Sequence, residues 1–239
     1  MANVSEIAPD VFRIATYVPR ANMVFSQFLF RDDEPLLYHT GPRRMLPDVR
    51  EAVARLIDPA RVRWISFSHF EADECGSLNE WLEIAPGSEA LCGLVGAAVN
   101  VSDFASRPPR SANGDEAIPT GKFRFRYIPT PQLPHGWDAG MLFEETTRML
   151  LCSDLLEQHG DLPALTSADV IGPAREALSS YQDGPMRGYM PYTAQTAQQM
   201  AQLAALEPVF SASMHGSVYQ GDGARALLEY AEVMREVLG

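Results

Sequence analysis

The spacing of apolar residues predicts strands in the first forty residues and a helix directly after them. β-Branched and aromatic residues fill positions 11–18 and 23–30, which indicates two strands, and a third strand at 36–38 follows the turn at 32–35. Because the connections are short, we expect an antiparallel meander. Apolar residues then recur every three or four positions between 46 and 56, a spacing that predicts one face of a helix.

The rest of the chain alternates between strand-like and helix-like segments. The predicted strands are 64–67, 90–92, 123–128, 141–143, 148–152 and 208–213, and the predicted helices are 77–84, 174–181, 193–206 and 223–238. Residues 102–119 are rich in Pro, Ser, Asn and Gly, so we expect an exposed loop there. No long linker interrupts the pattern, which favours a single layered α/β domain over residues 1–239.

Composition and charge exclude several classes of protein. The chain has 239 residues, of which 46% are apolar, and 31 acidic against 19 basic residues leave a net charge of −12. Nucleic acids and anionic membrane surfaces need clustered Lys and Arg, so neither is expected as a partner. The sequence shows no run long enough to span a membrane, no secretory signal, and only three cysteines, so we expect a cytoplasmic protein.

Histidines and carboxylates supply the candidate chemistry. Five histidines occur, and three of them precede glycine: His135, His159 and His215. The segment from His69 to Glu74 is denser, because it contains three carboxylates within four residues, and these repel one another unless a cation or protons neutralise them. If the segment is extended, positions 69, 71 and 73 point the same way. A solvated acidic loop or a helix N-terminus is an equally good interpretation of this segment alone.

The run 66–78 resembles the metal-binding signature of the metallo-β-lactamase fold. The hydrolases of that superfamily have the pattern His-x-His-x-Asp-His, and Glu71 at the second histidine position resembles the branch of flavodiiron and oxygen-binding diiron proteins. Three later motifs resemble the same branch in the same order: Leu133 to Asp138, Ser153-Asp154 with Gln158-His159-Gly160, and Ser213 to Tyr219.

The resemblance implies a four-layer αββα sandwich of the α/β class with a dinuclear metal site. Its ligands would be His69, Glu71 and His135 for the first metal, Asp73, Glu74 and His215 for the second, and Asp154 as a bridge. The sequence departs from the family at position 74, where Glu replaces His. Glu74 is expected to bind the second metal, with a solvated side chain as the alternative. The resemblance also suggests His159 as a residue near a bound ligand, with a surface position as the alternative. Tyr219, four residues past His215, is a second candidate for contact with a metal-bound ligand, with core packing as the alternative.

The ligand chemistry favours iron independently of the resemblance. Three imidazoles and four carboxylates make an anionic, oxygen-rich set, which suits two iron ions or manganese better than catalytic zinc. Together with this donor set, the resemblance implies a non-haem diiron protein that binds, senses or slowly reduces oxygen or nitric oxide. The family's reductases carry a flavodoxin domain, and because this chain ends at Gly239 we expect an external electron donor.

Two other functions remain open at this stage. A metal-dependent hydrolase of the superfamily would use a metal-bound hydroxide on an ester, thioester, amide or phosphodiester. Alternatively, Glu74 abolishes one metal position and leaves a binding or structural protein. The sequence does not give the oligomeric state, although a homodimer is consistent with the fold.

Overall fold

Two β-sheets face each other at the centre of the molecule. The computed structural model describes residues 1–114 and 116–239, and within them each sheet has seven strands. The first sheet, in spatial order, contains β1 (Asn3–Ala8), β2 (Val11–Val18), β3 (Met23–Phe30), β4 (Leu36–Tyr38), β5 (Trp64–Ser66), β6 (Glu89–Gly93) and β7 (Arg110–Ala112). The second sheet contains β8 (Ala117–Pro119), β9 (Arg124–Pro129), β10 (Gly140–Glu144), β11 (Met149–Ser153), β12 (Leu165–Thr166), β13 (Phe210–Ser213) and β14 (Val218–Gln220).

The strand pairing confirms the predicted meander and hairpin. Strands β1 to β4 are antiparallel neighbours, whereas β4 to β7 run parallel. The second sheet has the order β12-β14-β13-β11-β10-β9-β8, and β10 and β11 form the hairpin predicted around residues 145–147. Glu144 closes this hairpin, because its buried carboxylate accepts hydrogen bonds from the backbone N–H groups of Thr146 and Thr147.

Helices cover the outer face of each sheet and complete the predicted four-layer αββα arrangement. The helices are α1 (Leu46–Ala54), α2 (Ala72–Cys75), α3 (Leu78–Ile84), α4 (Leu94–Gly96), α5 (Ser102–Phe104), α6 (Ile171–Gln182), α7 (Thr196–Ala204) and α8 (Gly223–Leu238). Short 3-10 turns lie at Arg43–Met45 and Pro59–Arg61, and a π turn lies at Ala97–Val101. Helices α1 and α3 pack against the first sheet, and α6, α7 and α8 pack against the second.

The layer between the sheets is a dense aromatic and aliphatic core. Phe28 and Phe30 from the first sheet pack with Phe125, Leu142 and Leu151 from the second. The rings of Phe30 and Phe125 meet edge to face, with centroids 4.9 Å apart. This packing fixes how the two sheets align, and so it fixes the loops that leave their edges.

The expectation of a continuous loop over residues 102–119 is wrong. The segment contains α5 and the two edge strands β7 and β8, and Asp115, which separates those strands in sequence, lies outside the described residues. Each strand has three residues and pairs on one side only, so a polar composition is sufficient to form it. Ala112 and Ile118 supply the buried side chains.

Three strands end at one edge of the sandwich, and this edge holds the candidate site. β5 ends at Ser66 in the first sheet, and β11 and β13 end at Ser153 and Ser213 in the second. Loops beyond the carboxyl ends of parallel strands are common ligand-binding positions. Elsewhere, the three cysteines are buried and unlinked. Among the described residues we find no helix with the length and apolar content needed to cross a membrane.

Candidate metal centre

Seven imidazole and carboxylate side chains converge beyond these strand ends. They fall into three overlapping groups, and within each group the potential ligand atoms lie within 4.8 Å of one another. The groups are His69, His135 and Asp154; His69, Glu71 and Glu74; and Asp73, Glu74 and His215. The structure therefore brings together every residue that the sequence proposed as a ligand. Glu74 belongs to two of the groups, one with His69 and Glu71 and the other with Asp73 and His215.

The acidic segment is not extended, contrary to the alternation considered from sequence. Glu71 has extended backbone angles, and helix α2 begins directly after it. Asp73 and Glu74 are consecutive residues of this helical turn, yet both carboxylates approach histidines of the cluster. The turn places Glu74 inside, with 1% of its side chain exposed, while 48% of the Glu71 side chain is exposed at the rim.

Backbone hydrogen bonds from the end of β4 hold the acidic segment at both sides. The N–H of His39 donates to the Ser66 carbonyl at 2.7 Å, and the N–H of Thr40 donates to the Glu74 carbonyl at 2.7 Å. The Thr40 hydroxyl in turn accepts from the N–H of Ser77. The ligand segment is therefore fixed by the rigid sheet at its start and beyond its end.

The loop after β9 delivers His135. Gly136 has φ +81°, a left-handed conformation that glycine adopts without strain. This turn lets His135 stand beside His69, with ring centroids 4.3 Å apart. Asp138 then accepts a hydrogen bond from the N–H of Phe70, which joins this loop to the acidic segment.

Asp154 lies at the centre of the cluster. Its Oδ2 atom is 3.1 Å from Nε2 of His135 and 3.9 Å from Nε2 of His69. Its Oδ1 atom is 3.6 Å from Nε2 of His215. Because the two carboxylate oxygens face histidines of different groups, Asp154 is placed as a bridging ligand would be.

The first sheet holds the His215 loop through three hydrogen bonds. Nδ1 of His215 bonds the Val24 carbonyl at 2.9 Å, which leaves Nε2 facing the cluster. The N–H of Ser26 donates to the Met214 carbonyl, and the buried Arg13 guanidinium donates to the Gly216 carbonyl at 2.8 Å. These contacts tie a loop of the second sheet to β2 and β3.

Burial and like charges strain this cluster electrostatically when no cation is present. Burial and the neighbouring Asp154 and Asp73 raise the pKa of Glu74 well above its ordinary value. Burial also disfavours the charged form of Asp154, yet the His135 hydrogen bond and the charges of His69 and His215 hold its pKa well below the usual range. Within the described residues, Oε2 of Glu74 and Oδ1 of Asp154 are buried without a hydrogen-bond partner. Two unpartnered buried oxygens among histidines fit metal coordination, because buried polar atoms otherwise have partners.

A small cavity of about 100 Å³ opens beside the cluster. Residues that the sequence did not indicate form its outer wall: Met23, Glu157, Tyr181, Met186 and Tyr189. Glu157 is buried and accepts hydrogen bonds from the hydroxyls of Tyr181 and, at 2.7 Å, Tyr189. No local pattern could have indicated Glu157, because the tyrosines that hold it come from a distant part of the chain.

The two residues proposed near a bound ligand lie outside this cavity wall. Nε2 of His159 bonds the Tyr181 hydroxyl at 3.0 Å, so Tyr181 separates it from the cavity. Tyr219 lines a different cavity beside Asp222 and Arg225. Alternation along β14 turns Val218 into the core between the sheets and Tyr219 towards the helices, which corresponds to the core packing left open for Tyr219.

A family model matches most of the chain. The sequence model of a family described as "ODP family beta lactamase" matches residues 23–216. A curated relative is the rubredoxin-oxygen oxidoreductase of Megalodesulfovibrio gigas, which is 20% identical over 216 residues. The alignment covers 87% of this chain and 53% of the relative, so the chain spans about half the relative's length.

Solved structures show the same fold at low identity. The rubredoxin oxygen:oxidoreductase from Desulfovibrio gigas superimposes with a TM-score of 0.80 and 16% identity, over 96% of this chain and 61% of that one. The flavodiiron protein from Giardia intestinalis gives a TM-score of 0.78 and 15% identity, over 97% of this chain and 59% of that one. Both comparisons confirm the metallo-β-lactamase-like architecture.

Proposed function

The chain belongs to the family described as ODP family beta lactamase, and from this premise we propose that it is a non-haem diiron protein. It binds, senses or slowly reduces oxygen or nitric oxide with electrons from an external donor. The names of the curated relative and the similar structures support this proposal, since they describe an oxygen oxidoreductase and a flavodiiron protein. We propose further that residues 1–239 act as one domain.

The donor set of the cluster supports iron as the metal. His69, Glu71 and His135 would hold one ion, Asp73, Glu74 and His215 the other, and Asp154 would bridge them. Carboxylate oxygens outnumber imidazoles in this set, and such oxygen-rich sites suit iron or manganese. When bound, two iron ions would supply vacant coordination positions and the electrons for binding or reducing a diatomic ligand.

The size of the cavity is the observation that carries the proposal. Its volume of about 100 Å³ is well below the ~300 Å³ at which pockets for drug-sized ligands begin. A diatomic molecule fits inside, whereas a large ester or thioester would extend out of the cavity into solvent. The walls therefore favour a small ligand over the substrates of the related hydrolases.

The chain's own residues shape this cavity. Glu157 holds the hydroxyls of Tyr181 and Tyr189, so both rings are fixed as a wall over the cluster. Met23 and Met186 add apolar surface that limits the entry of water. The half-exposed Glu71 lies on the open side, where a small ligand enters.

Gas binding by the reduced protein tests this function. Oxygen and nitric oxide are added separately to anaerobic, iron-loaded, reduced protein, and absorption spectra are recorded. We expect a new near-ultraviolet or visible band with at least one gas, and steady oxygen consumption only when an electron donor is added. The matched variant Asp154→Ala should lose the band, because it lacks the carboxylate that joins the two sites.

Hydrolysis without gas binding is the result that would contradict this function. A reduced, iron-loaded protein that shows no response to either gas, but hydrolyses a generic phosphodiester or thioester, would overturn the proposal in favour of a metallo-hydrolase.

A further inference from the structure

The hydroxyl of Ser68 is the hub of a buried hydrogen-bond network behind the candidate metal centre. Its Oγ atom lies 2.9 Å from Nδ1 of His69, 2.7 Å from Oγ of Ser153 and 3.3 Å from Nε2 of His39. All four residues are buried. The network crosses between the two sheets, because Ser68 follows β5 and Ser153 ends β11.

His39 occupies an unusual position in this network. It is fully buried with φ +63°, a conformation that few residues other than glycine adopt, and its ring stacks on Tyr38. Burial lowers the pKa of His39 to about 3, so its imidazole is neutral at neutral pH. The side chain therefore acts as a neutral hydrogen-bonding group that points at Ser68.

The contacts of the two His69 nitrogens indicate which of them carries the proton when the ring binds a metal. Nε2 of His69 faces the carboxylates of Glu71 and Glu74. A neutral imidazole that binds a metal through Nε2 carries its hydrogen on Nδ1. With that tautomer the N–H would donate to Oγ of Ser68, and the Ser68 hydroxyl hydrogen would be directed to Oγ of Ser153, its nearest partner. The second lone pair of Ser68 is left to accept from Nε2–H of His39.

We propose that Ser68 is a positioning residue that fixes the tautomer and ring orientation of His69 for metal binding, with Ser153 and His39 holding its hydroxyl. This inference rests on the proposed metal centre. Groups that bond the outer nitrogen of a ligating histidine raise metal affinity, and their loss commonly costs about 10- to 100-fold.

Ser66 offers a matched control from the same segment. It is buried like Ser68, but its hydroxyl donates to the Leu91 carbonyl at 2.8 Å and takes no part in the network. Ser66→Ala and Ser68→Ala therefore remove the same atom from neighbouring buried positions. Only the second substitution removes the partner of the His69 imidazole.

Metal affinity of the metal-free protein measures the effect. Wild type, Ser66→Ala and Ser68→Ala are titrated anaerobically with Co²⁺ against a competing chelator, and the melting temperature without metal is recorded for each. We expect Ser68→Ala to bind Co²⁺ about 10- to 100-fold more weakly, and Ser66→Ala to keep the wild-type affinity. Ser68→Thr, which keeps the hydroxyl, should restore most of the lost affinity.

A spectroscopic readout separates positioning from a general structural effect. In Zn²⁺-loaded protein with ¹⁵N-labelled histidine, the His69 ring should carry its proton on Nδ1, protected from exchange in wild type and exposed to exchange in Ser68→Ala. Equal Co²⁺ affinities for Ser68→Ala and wild type would overturn the inference and leave the proposed function standing. Failure of wild type to bind any metal would overturn both. If Ser68→Ala does not fold, Ser153→Ala replaces it, and an unchanged affinity there counts against the proposal.

Discussion

Nε2 of His215 lies 3.3 Å from Oδ2 of Asp73, so the acidic segment beside the first sheet meets the last histidine loop of the second sheet. Burial opposes charge on His215, yet the Asp73 hydrogen bond and the Asp154 carboxylate raise the pKa of His215 to about 9. Because Asp73 follows β5 of the first sheet and His215 follows β13 of the second, the cluster assembles only when the sandwich has packed. Metal binding should therefore stabilise the whole fold.

Glu74→Ala should lower the metal content towards one ion per chain. Glu74 is buried, and its Oε2 has no hydrogen-bond partner within the described residues. Glu74 also belongs to two of the three groups of candidate ligands. Elemental analysis of the purified variant measures the loss. Glu74→His, which installs the residue that the family pattern has at this position, should keep the wild-type content.

The control for this experiment is Glu80→Ala, since Glu80 lies in α3 and pairs with Arg43 away from the cluster. An unchanged metal content in Glu74→Ala would assign Glu74 a structural role instead.

Arg13→Met should destabilise the protein by about 1–3 kcal/mol, because it leaves the Gly216 carbonyl without its buried donor. The Arg13 side chain also donates to the Ser26 hydroxyl, so the His215 loop loses part of its attachment to β2. Urea unfolding of the metal-free protein gives the free energy of unfolding.

Arg31→Met is the comparison variant for Arg13. Arg31 pairs with Asp10 at the surface, and such pairs contribute no more than about 1 kcal/mol. If Arg13→Met is as stable as wild type, the free-energy cost of burying the guanidinium equals the stabilisation that its hydrogen bonds provide.

His39 should make the metal-free protein less stable in mild acid. Burial lowers the pKa of His39 in the folded protein to about 3, below the ordinary value of 6.5. Between these two values the unfolded chain binds a proton at His39 and the folded protein does not. The stability that the neutral His39 imidazole contributes is fully present above pH 6.5 and is lost as the pH falls from there towards 3. Between pH 7.5 and pH 5 the loss from this group is about 2 kcal/mol.

His39→Asn tests the sign of this effect, because Asn tolerates positive φ and does not titrate. Its free energy of unfolding should fall less steeply over the same pH range than that of wild type. Parallel curves for the two proteins would show that His39 is protonated in the fold.

Tyr219→Phe should leave both the metal content and the response to oxygen unchanged. Tyr219 lines a separate cavity beside Asp222 and Arg225, and it is not among the described residues that line the cavity beside the cluster. Tyr181→Phe should alter the gas-binding spectrum, because it removes one of the two hydroxyls that hold Glu157. A larger effect from Tyr219→Phe than from Tyr181→Phe would contradict this placement.

Much of the fold was predictable because its elements carry strong local patterns. The predicted strands at 11–18 and 23–30 and the final helix at 223–238 are confirmed to the residue. The edge strands within 102–119 were missed, since three-residue strands paired on one side need little apolar sequence. The helical turn after Glu71 corresponds to the helix N-terminus that was one interpretation of this segment, and four residues show no helical period that would decide between the alternatives.

Some residues of the candidate site were predictable from the sequence, and others were not. Motif order indicated all seven residues that the structure brings together, and their role as ligands stays a prediction. Glu157 and Ser68 acquire their roles only through side chains that are distant in sequence, Tyr181 and Tyr189 for one and His39 and Ser153 for the other. Such contacts depend on tertiary packing, which leaves no local signal.

The metal content of the purified protein decides between a diiron site and the zinc site of a hydrolase. The protein is produced in cells supplied with both iron and zinc, purified without chelators or added metal, and analysed for both elements. We expect iron at about two atoms per chain, as a two-metal site requires. Stoichiometric zinc with no iron would contradict this expectation and would place the protein with the metal-dependent hydrolases.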